Sequence, residues 1–296
     1  MLYAPAATGP NLRGDYSAVA ADFTVDQDWG AYAAGEHALW RRLYDRQAGL
    51  LAQYACREFI AGLRALEAAG GIPDLQAVTR QLVAATGWRL VAVPGLVPDD
   101  VFFAHLARRQ FPVTTWIRRP EELDYLVEPD IFHDFFGHVP LLFDPVFADY
   151  MQAYGIKGAE AQRLDATAIL ARLYWYMVEF GLIRTPEGIR AYGAGMLSSH
   201  AETVYSVSDP APHRLRFDLE RVMRTGYRID DFQATYFVLD GFQDLFAATR
   251  RDFCPIYARL RGLAPLPPER LLPDDDVVSR GTGARPAGRR PTPLHA

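Results

Sequence analysis

Glu128-Pro129-Asp130-Ile131-Phe132-His133-Asp134-Phe135-Phe136-Gly137-His138-Val139-Pro140 is the stretch on which the reading of this chain turns. Two of the chain's seven histidines stand in it, five residues apart, in an aromatic and apolar setting. Imidazole is the commonest protein ligand for a transition metal. Pro129 and Asp130 suit a helix start, whereas Gly137 and Pro140 suit a helix end. On an ideal helix, at about 100° per residue, a spacing of five sets the two rings roughly 140° apart. They can meet on one ion only where the helix unwinds, and Gly137 and Pro140 supply that ending. Taken alone, the pair fits equally well two buried histidines hydrogen-bonded to backbone.

Downstream, residues 168–183 have the length and the Leu, Ala and Met content of a helix, and Glu179 is the one acidic side chain among them. An unpaired carboxylate among Trp, Tyr, Met, Val and Phe costs several kcal/mol, so such a group finds a partner, neutralises or binds a metal. Two histidines and one carboxylate with open positions form the facial triad of non-heme Fe(II) oxygenases. The bland alternatives are a glutamate that snorkels to the surface or pairs with Arg172 or Arg184.

Three segments, 128–140, 173–183 and Ala191-Tyr192-Gly193-Ala194-Gly195-Met196-Leu197-Ser198-Ser199, occur in the order and at the separations of the aromatic amino acid hydroxylase family. The resemblance runs over about residues 22–260 and is strongest to the bacterial branch that hydroxylates phenylalanine and consists of the catalytic domain alone. It implies conversion of L-phenylalanine to L-tyrosine with O2, Fe(II) held by His133, His138 and Glu179, and tetrahydrobiopterin as the two-electron cosubstrate. It places Gly95, Val97, Phe102, Asp134, Ala171 and Tyr174 at the pterin. It places Arg118 at the substrate carboxylate and Tyr125 and Trp175 in the pocket wall. Ser198 stands on the substrate side, in the place of a serine that helps to orient a ligating histidine. Three positions depart from the animal enzymes: Asp134 replaces a Glu, Pro112 a pterin-side His, and Leu126 a hydroxyl residue. A water-mediated pterin contact is therefore expected at Asp134. Tryptophan or tyrosine hydroxylation remains the nearest alternative within the family.

A zinc hydrolase with a His2Glu site is a different class. Its helical signature sets the histidines four apart with a Glu beside the first, where this chain has five and Asp134. A purely structural zinc site is usually rich in Cys, and neither Cys56 nor Cys254 lies near the cluster in sequence.

The chain's 296 residues allow one large domain or two small ones, half of them apolar and under a quarter charged. A formal charge of -5 without a basic cluster argues against nucleic acid or an anionic membrane as partner. No apolar run reaches about 18 residues, so no membrane span is expected. Two cysteines make no disulfide framework, although one bridge between them stays open, and reduced, buried thiols are the expectation. With no signal-peptide pattern at the N-terminus, the expected setting is the cytoplasm. Residues 1–21 read as a mobile arm, 22–263 as the catalytic domain and 264–296 as a disordered tail. With no room for a regulatory domain and no C-terminal heptads, a monomer without phenylalanine-triggered activation is expected.

Hydrophobic spacing predicts helices over 34–66, 75–85, 101–109, 145–154, 165–180, 187–192, 215–225 and 242–260. Strands are expected at 88–93, 111–117, 202–206 and 227–229. The sum is a mainly α domain with a few short β-strands, an α+β fold.

Overall fold

The computed structural model describes residues 12–124, 126, 128–229 and 231–282. About 52% of the chain is helix and about 12% strand, which is the mainly α, α+β architecture expected. The long apolar stretch near the N-terminus forms two helices, α1 (Ala34–Tyr54) and α2 (Arg57–Leu66). They are separated because Ala55 and Cys56 turn extended, and the Cys56 N–H donates to the Ala191 carbonyl at 3.0 Å. Helix α3 (Leu75–Thr86) is capped by Asp74, whose carboxylate accepts from the N–H groups of Gln76 and Ala77, satisfying donors that a helix start leaves orphaned. Gly87, at φ 79°, ends it.

Next comes a parallel pair, β1 (Arg89–Val93) and β2 (Gln110–Thr114), joined through helix α4 (Asp99–Ala107). Parallel pairing requires such a crossover. Its consequence here is positional: residues 94–98 and residues 115–118 leave the same end of the two strands. Helices α5 (Pro145–Arg163) and α6 (Thr167–Tyr174) follow the histidine segment, and then β3 (Leu182–Thr185), β4 (Gly188–Ala191), α7 (Ala194–Leu197) and α8 (His200–Ser208). The chain continues through β5 (His213–Arg216), α9 (Leu219–Arg224), β6 (Thr235–Leu239), α10 (Phe242–Thr249), α11 (Cys254–Leu260) and β7 (Val277–Ser279). One sheet has the order β4-β3-β6-β5-β7, parallel across β3/β6 and β6/β5 and antiparallel at both edges.

The helices close around the aromatic segment. Phe132, Phe135 and Phe136 are all fully buried, each contributing about 1.5–3 kcal/mol by leaving water. Trp40 of α1 meets Phe132 and Phe135 edge-on at 5.3 and 5.8 Å. This packing gives the histidine segment a rigid base.

Several expectations are corrected. Residues 187–192 form β4 of a hairpin rather than a helix, since their backbone pairs with β3. Residues 202–206 lie in helix α8, not a strand, because packing overrides the β propensity of Thr203 and Val204. Residues 227–229 are coil. The helix expected over 215–225 is only α9, preceded by β5, and the one over 242–260 is broken at 250–253 into α10 and α11. Residues 264–282 are ordered: Asp275 forms a buried ion pair with Arg221 at 2.7 Å, Leu266 is buried, and β7 joins the sheet through β5. Residues 12–21 are likewise tied down, with the Tyr16 hydroxyl donating to the Leu96 carbonyl at 2.9 Å and Arg13 paired with Glu122. Residues 1–11 and 283–296, and Tyr125, lie outside the described residues. Cys56 is buried and Cys254 exposed, and both are free thiols, so no bridge joins them and only one of the two is sequestered. Among the described residues no helix is long and apolar enough to cross a membrane.

Candidate metal centre

Residues His133–His138 form a π-helical turn, not an α-helix that unwinds at Gly137. A π turn closes hydrogen bonds between residues five apart, so a five-residue spacing brings two side chains onto one face. That removes the 140° separation of an ideal helix. The two rings lie 5.2 Å apart, edge to face. A second π-helical turn, Trp175–Glu179, extends α6, and the Phe180 N–H closes it on the Trp175 carbonyl at 3.0 Å. It turns Glu179 inward. His138 Nε2 is 3.2 Å from Glu179 Oε1, and His133 Nε2 is 3.6 Å from Glu179 Oε2. One donor atom from each of the three residues lies within 4.8 Å of the other two. Arg172 donates to the Met223 carbonyl, and Arg184 pairs with Asp240.

The electrostatics suit a cation. Glu179 is 1% exposed and His138 5%. Burial pushes the His133 imidazole down to about 4, although Glu179 opposes the shift, so the ring is neutral near pH 7 and can act as a ligand. Its Nδ1 lies 2.9 Å from the Ser198 hydroxyl, which donates onward to the Ala194 carbonyl at 2.8 Å. With that hydrogen given to Ala194, the hydroxyl accepts from Nδ1–H and leaves Nε2 as the imidazole's lone-pair atom.

The segment that carries Ser198 is pressed against Glu179. A Cβ on Gly193 would fall 2.3 Å from the Glu179 carbonyl oxygen. One on Gly195 would fall 3.1 Å from Glu179 Oε2 and 3.0 Å from the Phe180 ring. At Gly193 only glycine permits this approach, while at Gly195 the neighbours would have to give by a few tenths of an ångström.

Arg118 is buried, and its Nε and Nη2 both donate to Asp130, at 2.8 and 2.9 Å. Asp130 also accepts from the backbone N–H groups of Arg118 and His133. Burial alone would raise the Asp130 carboxyl, but the guanidinium and these donors hold it below the usual range. The side-on edge of Arg118 is therefore occupied by Asp130. Sequence reasoning read Asp130 only as a helix start; its place three residues before the first histidine was the available signal. Asp134 Oδ2 accepts from the Thr114 N–H at 2.8 Å, and burial pushes its carboxyl up to about 7.

On the other side, half-buried Phe102 meets Tyr174 edge-on at 5.4 Å, and Tyr174 tilts over His138 at 6.2 Å. Ala171 and Tyr174 are both buried on α6. Gly95 is covered by Tyr16 and Glu128, whose oxygens a Cβ would meet at 2.8 and 2.6 Å, while Val97 is half-buried in the same loop. Leu126 is half-buried, and Pro112 occupies the middle of β2 opposite Val91. Trp175 is 6% exposed and stacks on Tyr227 at 4.3 Å. The arrangement can hold a divalent ion by two imidazoles and a carboxylate, beside aromatic surfaces and a buried guanidinium.

Comparison with known proteins agrees with this geometry. Residues 12–259 match the profile described as biopterin-dependent aromatic amino acid hydroxylase. The chain is 57% identical over 264 residues to the phenylalanine-4-hydroxylase of Caulobacter vibrioides, covering 89% of this chain and 90% of that one. It is 56% identical to the enzyme of the same name from Chromobacterium violaceum, covering 88% of each. The iron- and phenylalanine-bound crystal structure of the Chromobacterium violaceum phenylalanine hydroxylase superposes with a TM-score of 0.84 at 55% identity, over 88% of this chain and 95% of that one.

Proposed function

We infer that this chain, which belongs to the biopterin-dependent aromatic amino acid hydroxylases, converts L-phenylalanine to L-tyrosine with O2 and a tetrahydropterin at a non-heme iron centre. The observation that carries the reading is the convergence of His133, His138 and Glu179 on one point in a chain so similar to phenylalanine hydroxylases. In the reaction one atom of O2 enters the ring as the 4-hydroxyl and the other is carried away by the pterin as its 4a-hydroxy product. Ferrous iron and tetrahydropterin, when bound, supply oxygen activation and two electrons.

The chain's own residues hold and orient. His133, His138 and Glu179 are the metal ligands on this reading, and they leave one side open for other components. Ser198 fixes the ring and tautomer of His133. Arg118 takes the substrate carboxylate on its remaining edge, Nη1 and the second Nη2 hydrogen, since Asp130 already holds the side-on edge. That ion pair locks the guanidinium in place and ties it to the backbone of His133. Substrate and metal are thereby held in one frame. Trp175 and, by resemblance to the family, Tyr125 wall the ring. Phe102 supplies a face for the pterin, Gly95 and Val97 its polar edge, and Ala171, Tyr174 and Asp134 the far side. The same burial excludes water from the reacting groups. The chain acts in the cytoplasm as a monomer on this reading.

The test is anaerobic loading with Fe(II), then addition of O2, a tetrahydropterin and phenylalanine, tyrosine or tryptophan in turn. Tyrosine formed from phenylalanine, with the highest kcat/KM of the three substrates, is the expected result. No hydroxylated product, or zinc-dependent hydrolysis without oxygen uptake, would overturn it. Light scattering checks the monomer.

A further inference from the structure

Gln233 lies in the loop before β6, far from the metal ligands in sequence, and is 2% exposed. Its side-chain amide is engaged at both ends. Nε2 donates to the carbonyls of Arg228 and Asp231, at 3.0 and 3.2 Å. Oε1 accepts from the Trp175 indole N–H at 3.0 Å. Two carbonyls facing Nε2 settle which end of the amide is nitrogen, so the oxygen must face the indole. The backbone N–H of Gln233 donates to Glu202 Oε1 at 3.3 Å, and the same oxygen accepts from the Tyr236 hydroxyl at 2.8 Å. Helix α8 and strand β6 therefore both anchor the loop. Tyr227, on the same loop, stacks on the indole face, 4.3 Å away and 14° from parallel.

Trp175 is thus held both by ring packing and by a hydrogen bond. Stacking on Tyr227 and the tilted Phe180 ring 4.8 Å away set the plane of the indole, but a half-turn about the Cβ–Cγ bond preserves that plane. The hydrogen bond to Gln233 removes that freedom. We propose that Gln233 is a positioning residue that fixes the orientation of the Trp175 indole, and so sets which aromatic amino acid ring the pocket accepts. The inference rests on the reading of Trp175 as a wall of the substrate pocket. It assigns to a residue without contact to the metal ligands a share in choosing phenylalanine over the larger ring of tryptophan.

A double-mutant cycle tests it. Gln233→Leu keeps the approximate volume and removes the acceptor, and Trp175→Phe removes the donor. Each variant and the double variant are loaded with Fe(II) and assayed with phenylalanine and with tryptophan, measuring iron content and the fraction of pterin oxidation coupled to product. Gln233→Leu is expected to lower the phenylalanine-to-tryptophan ratio of kcat/KM about five- to tenfold, mainly through a higher KM for phenylalanine, with iron content unchanged. In the Trp175→Phe background the same substitution is expected to change the ratio less than about twofold. An unchanged ratio in Gln233→Leu, or an equal shift in both backgrounds, overturns the inference. If Gln233→Leu does not fold, Trp175→Phe alone decides: it leaves Gln233 and its loop bonds in place, and an unaltered ratio there overturns the inference. Wild-type protein that hydroxylates neither amino acid would instead defeat the underlying functional reading, so the two failures are told apart.

Discussion

Nε2 of His138 and Oε1 of Glu179 lie 3.2 Å apart, brought together by two separate π-helical turns and almost fully withdrawn from water. A carboxylate enclosed in this way needs a compensating cation or donor. Glu179→Gln keeps the shape and removes the charge. Ferrous iron retained after desalting, measured by mass spectrometry, should drop to a small fraction of the wild-type content. Phenylalanine hydroxylation should fall more than about 100-fold, beyond the range seen when only a supporting residue of a metal site is altered. Far-ultraviolet circular dichroism should be unchanged. A variant that keeps one iron per chain would remove Glu179 from the ligand set.

Ser198→Ala takes away the oxygen 2.9 Å from His133 Nδ1 and leaves the three ligands in place. A loss of about 10- to 100-fold in iron affinity or activity is expected. Ser198→Thr, which keeps a hydroxyl, should recover part of it. Titration with Fe(II) under anaerobic conditions reads the affinity directly, and equal affinity in wild type and Ser198→Ala would deny the residue its orienting role.

The two glycines facing Glu179 should behave differently. At Gly193 an added Cβ meets backbone oxygen at 2.3 Å, which cannot yield, so Gly193→Ala should cost on the order of 1–3 kcal/mol or more in urea denaturation. At Gly195 the nearest atoms are the Phe180 ring and a carboxylate oxygen, both near 3 Å. Gly195→Ala should fold with near-normal stability while displacing the carboxylate, and so should lose iron affinity rather than melting temperature.

Glu202 supplies a pH test away from the metal. Burial pushes its carboxyl up to about 7 from an ordinary value of 4.5, and around it stand the Tyr236 hydroxyl and the Gln233 N–H, with Arg214 also acting on Tyr236. Between these two values the folded state binds more protons than the unfolded state, so stability falls as pH rises. The contribution is fully present below about 4.5 and is lost as pH rises through about 7, at most about 3 kcal/mol in total. Glu202→Gln keeps an acceptor and cannot ionise. Urea midpoints from pH 5 to 8 should fall less steeply in the variant than in the wild type, and parallel curves would show that Glu202 does not titrate in this window.

The legible parts of this molecule were those whose chemistry sits in residue type. Two histidines in an aromatic run and one acid in an apolar helix are visible without coordinates, as is the helix over 75–85 that became α3. The π-helical turns were not legible, because periodicity analysis assumes about 100° per residue and so misplaced His138 relative to His133. The β3-β4 hairpin escaped because residues 187–192 carry few β-formers and hold their place through backbone pairing. Conversely, Thr203 and Val204 suggested a strand where α8 is required to aim Glu202 at Tyr236. The order of residues 264–282 rests on partners distant in sequence, such as Arg221 for Asp275, and no local window contains both members of such a pair. Asp130 and Gln233 share that difficulty, since each matters through what it holds.

The two widened turns have a consequence for how this centre can be lost. Each accommodates one residue more than an α-helical turn would over the same rise. Were the first segment to wind as regular α-helix with its five-residue spacing kept, His138 would stand about 140° around the axis from His133. Such a protein would still carry both imidazoles and the acid, yet present no common binding point. The way two short windows wind is thus as strict a requirement as the identity of the donors themselves.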